Sequence, residues 1–241
     1  SQVDFDFVRR LVQDGHIPDD VFIMVLTQCR EHLIERTFES IHGVPRAILH
    51  AYIAPSELHR AKVFNMTPEQ TVERAVESTK QIRELAAGMS GSDIRFEFSP
   101  EEFTDTDPAF ALEICEAVKS AWGQATPQKP MVMNLPATVE RRPPNQYADM
   151  IEEFCERVSD RDSVRVSLHV HNDMGMAVAA TELGLLAGAD RVEGTLFGHG
   201  ERTGNVDLVT TALNLTGRGI ETGLDFSELP SVVETVERLT D

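Results

Sequence analysis

Two histidines, His169 and His171, stand two residues apart in "SLHVHNDMG" (Ser167 to Gly175). On a strand, residues i and i+2 point to the same side, with Cα atoms roughly 6–7 Å apart. Both imidazoles can then reach one divalent ion. Two ligands do not make a site, because a third and a fourth are needed. Spacing alone leaves a metal half-site and a hydrogen-bonded polar strand end both open. "GHGERTGN" (Gly198 to Asn205) is a second candidate. Its glycines permit tight turns and close backbone approach. Glu201 and Arg202 can pair, and Asn205 is expected to cap the following helix. A plain glycine-rich loop fits the same residues. In "FEFSPEEF" (Phe96 to Phe103), alternation turns Glu97 and Ser99 inward and leaves Glu101 just past the strand end. A carboxylate there suits a general base, or it caps a helix. His50 in "ILHAY" and Thr138 in "NLPATVE" are weaker signals, since a lone strand histidine is more often structural.

The elements that must position these residues alternate strictly. Helical periodicity predicts helices over Phe5 to Asp14, Arg30 to His42, Thr67 to Gly88, Pro108 to Trp122, Asn145 to Val158, Met176 to Ala187, Val206 to Arg218 and Ser227 to Leu239. "TPEQ" opens the third of these as a capping box, with Pro68 at the first helical position. Short apolar runs predict strands at Val21 to Gln28, Arg46 to Ala54, Asp93 to Ser99, Met131 to Ala137, Val164 to His171 and Arg191 to Gly198. Six strands, each followed by a helix, mean a parallel sheet, either doubly wound or a barrel. A doubly wound sheet gathers its site at one switch point. Here polar residues cluster at the C-terminal end of strand after strand, from Gln28 to Thr195, and this favours a (β/α)8 TIM barrel. With six strands and a leading helix, the barrel is expected to be incomplete, with strands 3–8 present and the first two βα units missing. Residues 1–241 are then one catalytic barrel domain, truncated at its N-terminus and carrying no linker or regulatory domain.

Composition narrows the class. Forty acidic against 22 basic residues give a formal charge of −18, which argues against a broad nucleic-acid footprint. No apolar run approaches the roughly 18 residues of a membrane span. Cys29, Cys115 and Cys155 show no paired spacing, as expected for free thiols in a reducing cytoplasm. The chain starts at Ser1 rather than Met and is expected to be a fragment or a processed product.

"LHVHND", "GADRVEGTLFGHGERTGNVDLVT", "FEFSPEEFT" and "NLPATVE" together resemble the catalytic barrel of the α-isopropylmalate (2-isopropylmalate) synthase family, within the metal-dependent acyl-CoA Claisen condensation enzymes and lyases. The resemblance covers nearly the whole chain. It implies an acyltransferase joining acetyl-CoA to 2-oxoisovalerate to give 2-isopropylmalate and CoA, the first committed step of leucine biosynthesis. Homocitrate or citramalate synthase chemistry, with another 2-oxo acid, is the alternative, and a non-catalytic barrel fragment is a third. The resemblance further implies a divalent cation (zinc, manganese, magnesium or cobalt) held by His169 and His171 with Asn205 nearby. It puts His50, Ser99 and Thr138 in the oxo-acid pocket, and Glu101, with His50, in the catalytic machinery. It implies a cytoplasmic homodimer of the full-length protein, with no nucleic-acid or membrane partner. The family's first strand carries an Arg-Asp pair, the Asp a metal ligand, which no stretch of this chain supplies. The linker with its catalytic histidine and the leucine-binding regulatory domain are likewise not expected here. Val170 and Met174 replace Pro and Arg of "HPHNDRG", His199 replaces Asn of "GNGERTGN", and "AYIAPS" departs from "YNSTS". A barrel short of two strands exposes two parallel edges, so the isolated chain is expected to be unstable or to need the missing units.

Overall fold

The computed structural model describes residues 1–240. Helix α1 (Gln2–Gln13) precedes six βα repeats: β1 (Ile23–Gln28), α2 (Glu31–Ser40), β2 (Arg46–Ile53), α3 (Glu57–His59), α4 (Pro68–Gly88), β3 (Asp93–Pro100), α5 (Pro108–Trp122), β4 (Met131–Ala137), α6 (Pro144–Arg157), β5 (Val164–Val170), α7 (Ala177–Leu186), β6 (Arg191–Glu193) and α8 (Leu208–Gly217), followed by α9 (Leu229–Thr240). The strands form one parallel sheet in sequential order, β1 to β6. That order is the winding of a barrel, with no switch point. The sheet curls until Met24 Sδ of β1 lies 3.8 Å from Arg191 Nη2 of β6.

The pleat divides each strand between two environments. Val164, Val166, Leu168 and Val170 on β5 are buried against the helices. Gly184 of α7 packs so closely on Leu168 that an added Cβ would lie 2.7 Å from Leu168 Cδ1. The intervening residues, Ser167 and His169, face the concave side. On β1 the same alternation buries Val25 and Thr27 and leaves Met24 and Leu26 41% and 60% exposed on the inner face. The apolar layer between sheet and helices is continuous from Val25 to Val206.

One strand expectation needs correction, and one stretch carried no expectation. The sixth strand spans Arg191–Glu193 instead of Arg191 to Gly198, because Phe197 adopts a left-handed conformation (φ 57°) and the chain turns into a 3₁₀ turn at Leu196–Gly198. After β2, α3 and a π-helical turn (Arg60–Phe64) occupy a stretch with no legible periodicity. The capping box before α4 forms as read: Thr67 Oγ1 accepts from the Gln70 amide, and the Gln70 side chain accepts from the Thr67 amide.

Candidate metal centre

Strand register lays the inner polar residues side by side. His50 pairs with Glu97, and His169 with Glu193. Glu97 is fully buried and Glu193 nearly so, with Arg191 between them: its Nη1 donates to Glu97 Oε2 (2.9 Å) and Glu193 Oε1 (2.6 Å). Ser167 Oγ and Asn134 Nδ2 also donate to Glu193. Burial, and then the facing Glu193, hold the Glu97 carboxyl well above the usual range. Burial acts the same way on Glu193, but hydrogen bonds from His169 and Glu97, together with the Arg191 charge, outweigh it and hold Glu193 down. The two neighbouring carboxyls are thus driven apart in proton affinity, with the guanidinium between them. His50, Glu97 and Glu193 offer ligand atoms within 4.8 Å of one another. Arg191 already supplies a cation to both of those carboxyls. His50 is held neutral by burial, its pKa lowered to about 4, and its Nε2 lies 2.6 Å from Ser99 Oγ.

One layer above, three predicted residues meet. The rings of His169 and His171 lie 5.4 Å apart. Asn205 bridges to His171 through the backbone, and its Nδ2 lies 3.2 Å from His169 Nε2. The other His169 nitrogen, Nδ1, contacts Glu193 Oε2 at 3.3 Å, so the proton belongs on Nδ1. That arrangement is how a ligating histidine is oriented by a carboxylate behind it. His171 Nδ1 is buried and has no hydrogen-bond partner among the described residues. Burial, reinforced by His169, keeps His171 below the ordinary imidazole value and therefore neutral, the ligand form. An orphaned buried nitrogen beside a second imidazole and an amide fits a cation. His169, His171 and Asn205 are the residues that would hold it.

Asn205 does not cap the next helix, as the sequence suggested. Asp207 does, accepting from the Val209 amide, because Asn205 is turned toward the histidines. The glycines of the preceding loop make this possible. A Cβ at Gly200 would lie 1.9 Å from Asn205 Oδ1, and one at Gly204 (φ 99°) 2.1 Å from the Gly198 carbonyl oxygen. Arg202 pairs mainly with Asp173, through Nε (2.8 Å) and Nη2 (3.1 Å), and more loosely with Glu201 (3.7 Å). Its Nη2 also donates to the Thr138 carbonyl. The glycine-rich loop, the loop after β5 and the end of β4 are thereby tied together. Glu140 accepts from the Met174 and Met176 amides, holding the loop between His171 and α7. His199 is exposed, and its side chain makes no hydrogen bond among the described residues.

Thr138 Oγ1 accepts from the Glu102 amide (2.9 Å). Glu101 follows the end of β3, its amide bonded to Ile53. It lies in a cleft of 290 Å³ with Arg30, Tyr52, His59 and Arg74. Burial raises its pKa above the usual carboxylate range. The predicted residues thus fall into three neighbourhoods: His50 with Ser99 inside the sheet, His169, His171 and Asn205 at its rim, and Glu101 with Thr138 on the adjoining loops. Sequence reasoning passed over Arg191, Asp173, Glu140 and His59. Arg191 was legible in principle, two residues before Glu193 on one strand face. The others act through loop contacts that no spacing encodes.

The profile of the HMGL-like family matches residues 1–236, and the chain belongs to that family. Among curated proteins, it is 56% identical to 2-isopropylmalate synthase of Azotobacter vinelandii over 98% of this chain and 42% of that protein. It is 54% identical to 2-isopropylmalate synthase of Saccharomyces cerevisiae over 99% of this chain and 38% of that protein. The chain thus spans about two fifths of the length of these curated relatives. Among solved structures, the HMG-CoA lyase of Bacillus subtilis superposes with a TM-score of 0.72 at 18% identity, covering 98% of this chain and 74% of that one. The six-stranded curl is therefore an incomplete (β/α)8 barrel. Among the described residues, no helix is long and apolar enough to cross a membrane.

Proposed function

We propose that this chain is the major part of the catalytic barrel of a 2-isopropylmalate synthase. Such an enzyme condenses acetyl-CoA with 2-oxoisovalerate to give 2-isopropylmalate and CoA, a step of leucine biosynthesis. The observation that carries the proposal is the meeting of His169, His171 with its unsatisfied Nδ1, and Asn205 at one barrel rim. The 56% identity to the Azotobacter vinelandii enzyme supplies the reaction.

His169, His171 and Asn205 would hold a divalent cation, which when bound would supply Lewis acidity at the ketone of the oxo acid. The chain's own residues do the rest. His50 and Ser99, joined at 2.6 Å, form a neutral polar wall for the oxo acid, and Thr138, on the adjoining loop where it accepts from the Glu102 amide, is assigned to the same substrate. Glu101, its pKa raised by burial toward the working pH, takes a proton from the acetyl methyl group. The resulting enolate adds to the ketone, and water then cleaves the thioester, releasing CoA. Glu193 keeps the His169 ring in one tautomer and orientation through Nδ1.

The test is thiol release from acetyl-CoA by the full-length protein, screened over several 2-oxo acids, with bound metal quantified in parallel. Preference for 2-oxoisovalerate is the expected result. Preference for another oxo acid would reassign the substrate, and no oxo-acid-dependent release would sink the synthase reading.

A further inference from the structure

The segment after β2 and the residue that follows Glu101 meet in a cluster that the proposed chemistry leaves unused. Ser56 Oγ donates to Glu102 Oε2 at 2.5 Å, and His59 Nδ1 lies 2.6 Å from the same oxygen. Ser56 Oγ also accepts from the His59 amide (3.3 Å). Glu102 is 7% exposed, and its backbone is left-handed (φ 57°, ψ 38°). A non-glycine residue keeps that conformation only where its surroundings over-determine it, and such strain gathers at functional sites. Here the surroundings suffice. The Glu102 amide donates to Thr138 Oγ1 (2.9 Å), and its carbonyl accepts from Thr106 Oγ1 (2.8 Å) and the Asp105 amide (2.9 Å). Glu101 is thereby fixed on both sides, since its own amide donates to the Ile53 carbonyl (2.9 Å). Glu101 lines the 290 Å³ cleft, and so do His59, Val63 and Phe64 of the segment that Glu102 grips.

We propose that Glu102 is a positioning residue for Glu101: anchored by Ser56 and His59, it holds the left-handed turn that keeps the Glu101 carboxyl in the cleft. This deepens the synthase reading and rests on it for the role of Glu101. The link between the two residues is covalent, because the peptide that joins them is the one whose N–H Thr138 holds. The loops after β2, β3 and β4 thus converge on one side chain and its amide. Glycine would take the same turn without strain. What glycine lacks is the carboxyl that ties the turn to the opposite cleft wall. A base must meet the acetyl methyl group in a narrow range of geometry, and a displacement of about 1 Å can slow such a step about 100-fold.

Kinetics and crystallography of the full-length protein test this. Glu102→Gly removes the strain and the anchor together. It should lower kcat by about 10- to 100-fold, with KM for both substrates and bound metal near wild type, and its crystal structure should show the Glu101 carboxyl displaced. Glu102→Gln, whose amide oxygen still accepts from Ser56 and His59, should restore most of kcat. Ser56→Ala should lower kcat in the same sense and add nothing to Glu102→Gly, because its part in the anchor runs through Glu102. A melting temperature that falls in Glu102→Gly while kcat keeps its wild-type value marks Glu102 as structural only and overturns the proposal, leaving the synthase reading standing. If the protein proves not to be a synthase, the position of Glu101 still decides: a displaced carboxyl in Glu102→Gly supports the proposal, and an unmoved one overturns it. If Glu102→Gly does not fold, Ser56→Ala decides: a lower kcat at constant KM supports the proposal, and an unchanged kcat overturns it.

Discussion

Glu193 illustrates how one side chain serves two layers of the site. Its Oε1 takes hydrogen bonds from Arg191 and Ser167, and its Oε2 meets His169 Nδ1 and Asn134 Nδ2. The buried charge network inside the curl therefore ends on the back of a candidate ligand. Replacing Glu193 with Gln preserves the shape but removes the charge that favours the Nδ1 proton on His169. Metal affinity, measured by competition with a chelating dye, should fall about 10- to 100-fold, the usual cost of losing such a supporting carboxylate. Unchanged affinity would mean that His169 is not a ligand. The buried thiols stand apart from this chemistry. Burial pushes Cys29 up to about 12, and Cys115 is likewise buried and raised, so neither is a nucleophile at neutral pH.

At the scale of elements, the site depends on two loops meeting. Asn172 donates its amide to the Gly204 carbonyl (3.0 Å), and the Arg202–Asp173 pair crosses the same gap. Gly200→Ala should displace Asn205, because the added Cβ would fall on its Oδ1. Circular dichroism should show the helices intact while bound metal is lost; full metal content in that variant would argue against Asn205 in the site. The clamp also has a pH signature. Asp173 sits below its ordinary 3.8, at about 2, chiefly because Arg202 hydrogen-bonds to it. A carboxylate held down in the fold stabilises it above the ordinary value and loses that contribution as pH falls through the folded value. Between 3.8 and about 2 the wild type should therefore lose more melting temperature than Asp173→Asn. Parallel curves through that window would show that the clamp contributes nothing to stability.

For the molecule as a whole, curvature without closure is the governing fact. β1 and β6 bring Met24 and Arg191 into contact without pairing, so both edges of the sheet stay open. Met24 and Leu26 remain exposed on the inner face, where a closed barrel would cover them. The 241-residue chain expressed alone should bind a hydrophobic dye and unfold over a broad, concentration-dependent range. A sharp transition of a monomer, with no dye binding, would show that the open curl is self-sufficient.

Much of this was written locally. Strict alternation of short apolar runs with amphipathic stretches specified six βα repeats, since burial on both faces of a parallel strand leaves a continuous apolar signature. The two-residue pleat put His169 and His171 on one face, and the spacing of "TPEQ" closed the cap before α4. Boundaries held wherever periodicity was strong. They failed at Arg191 to Gly198, where Phe197 turns left-handed, and "PSELHRAKVF" carried no expectation, because its π-helical turn has no sequence period. Tertiary structure decided the rest. Parallel register placed Glu97 against His50 and Glu193 against His169, and curvature brought Arg191 between the two carboxyls. The glycine-rich loop turned Asn205 away from capping and toward the histidines. A sequence specifies the period of a side chain along its own strand. Which neighbour it meets depends on register, twist and loop path, and these are set by packing the whole sheet at once.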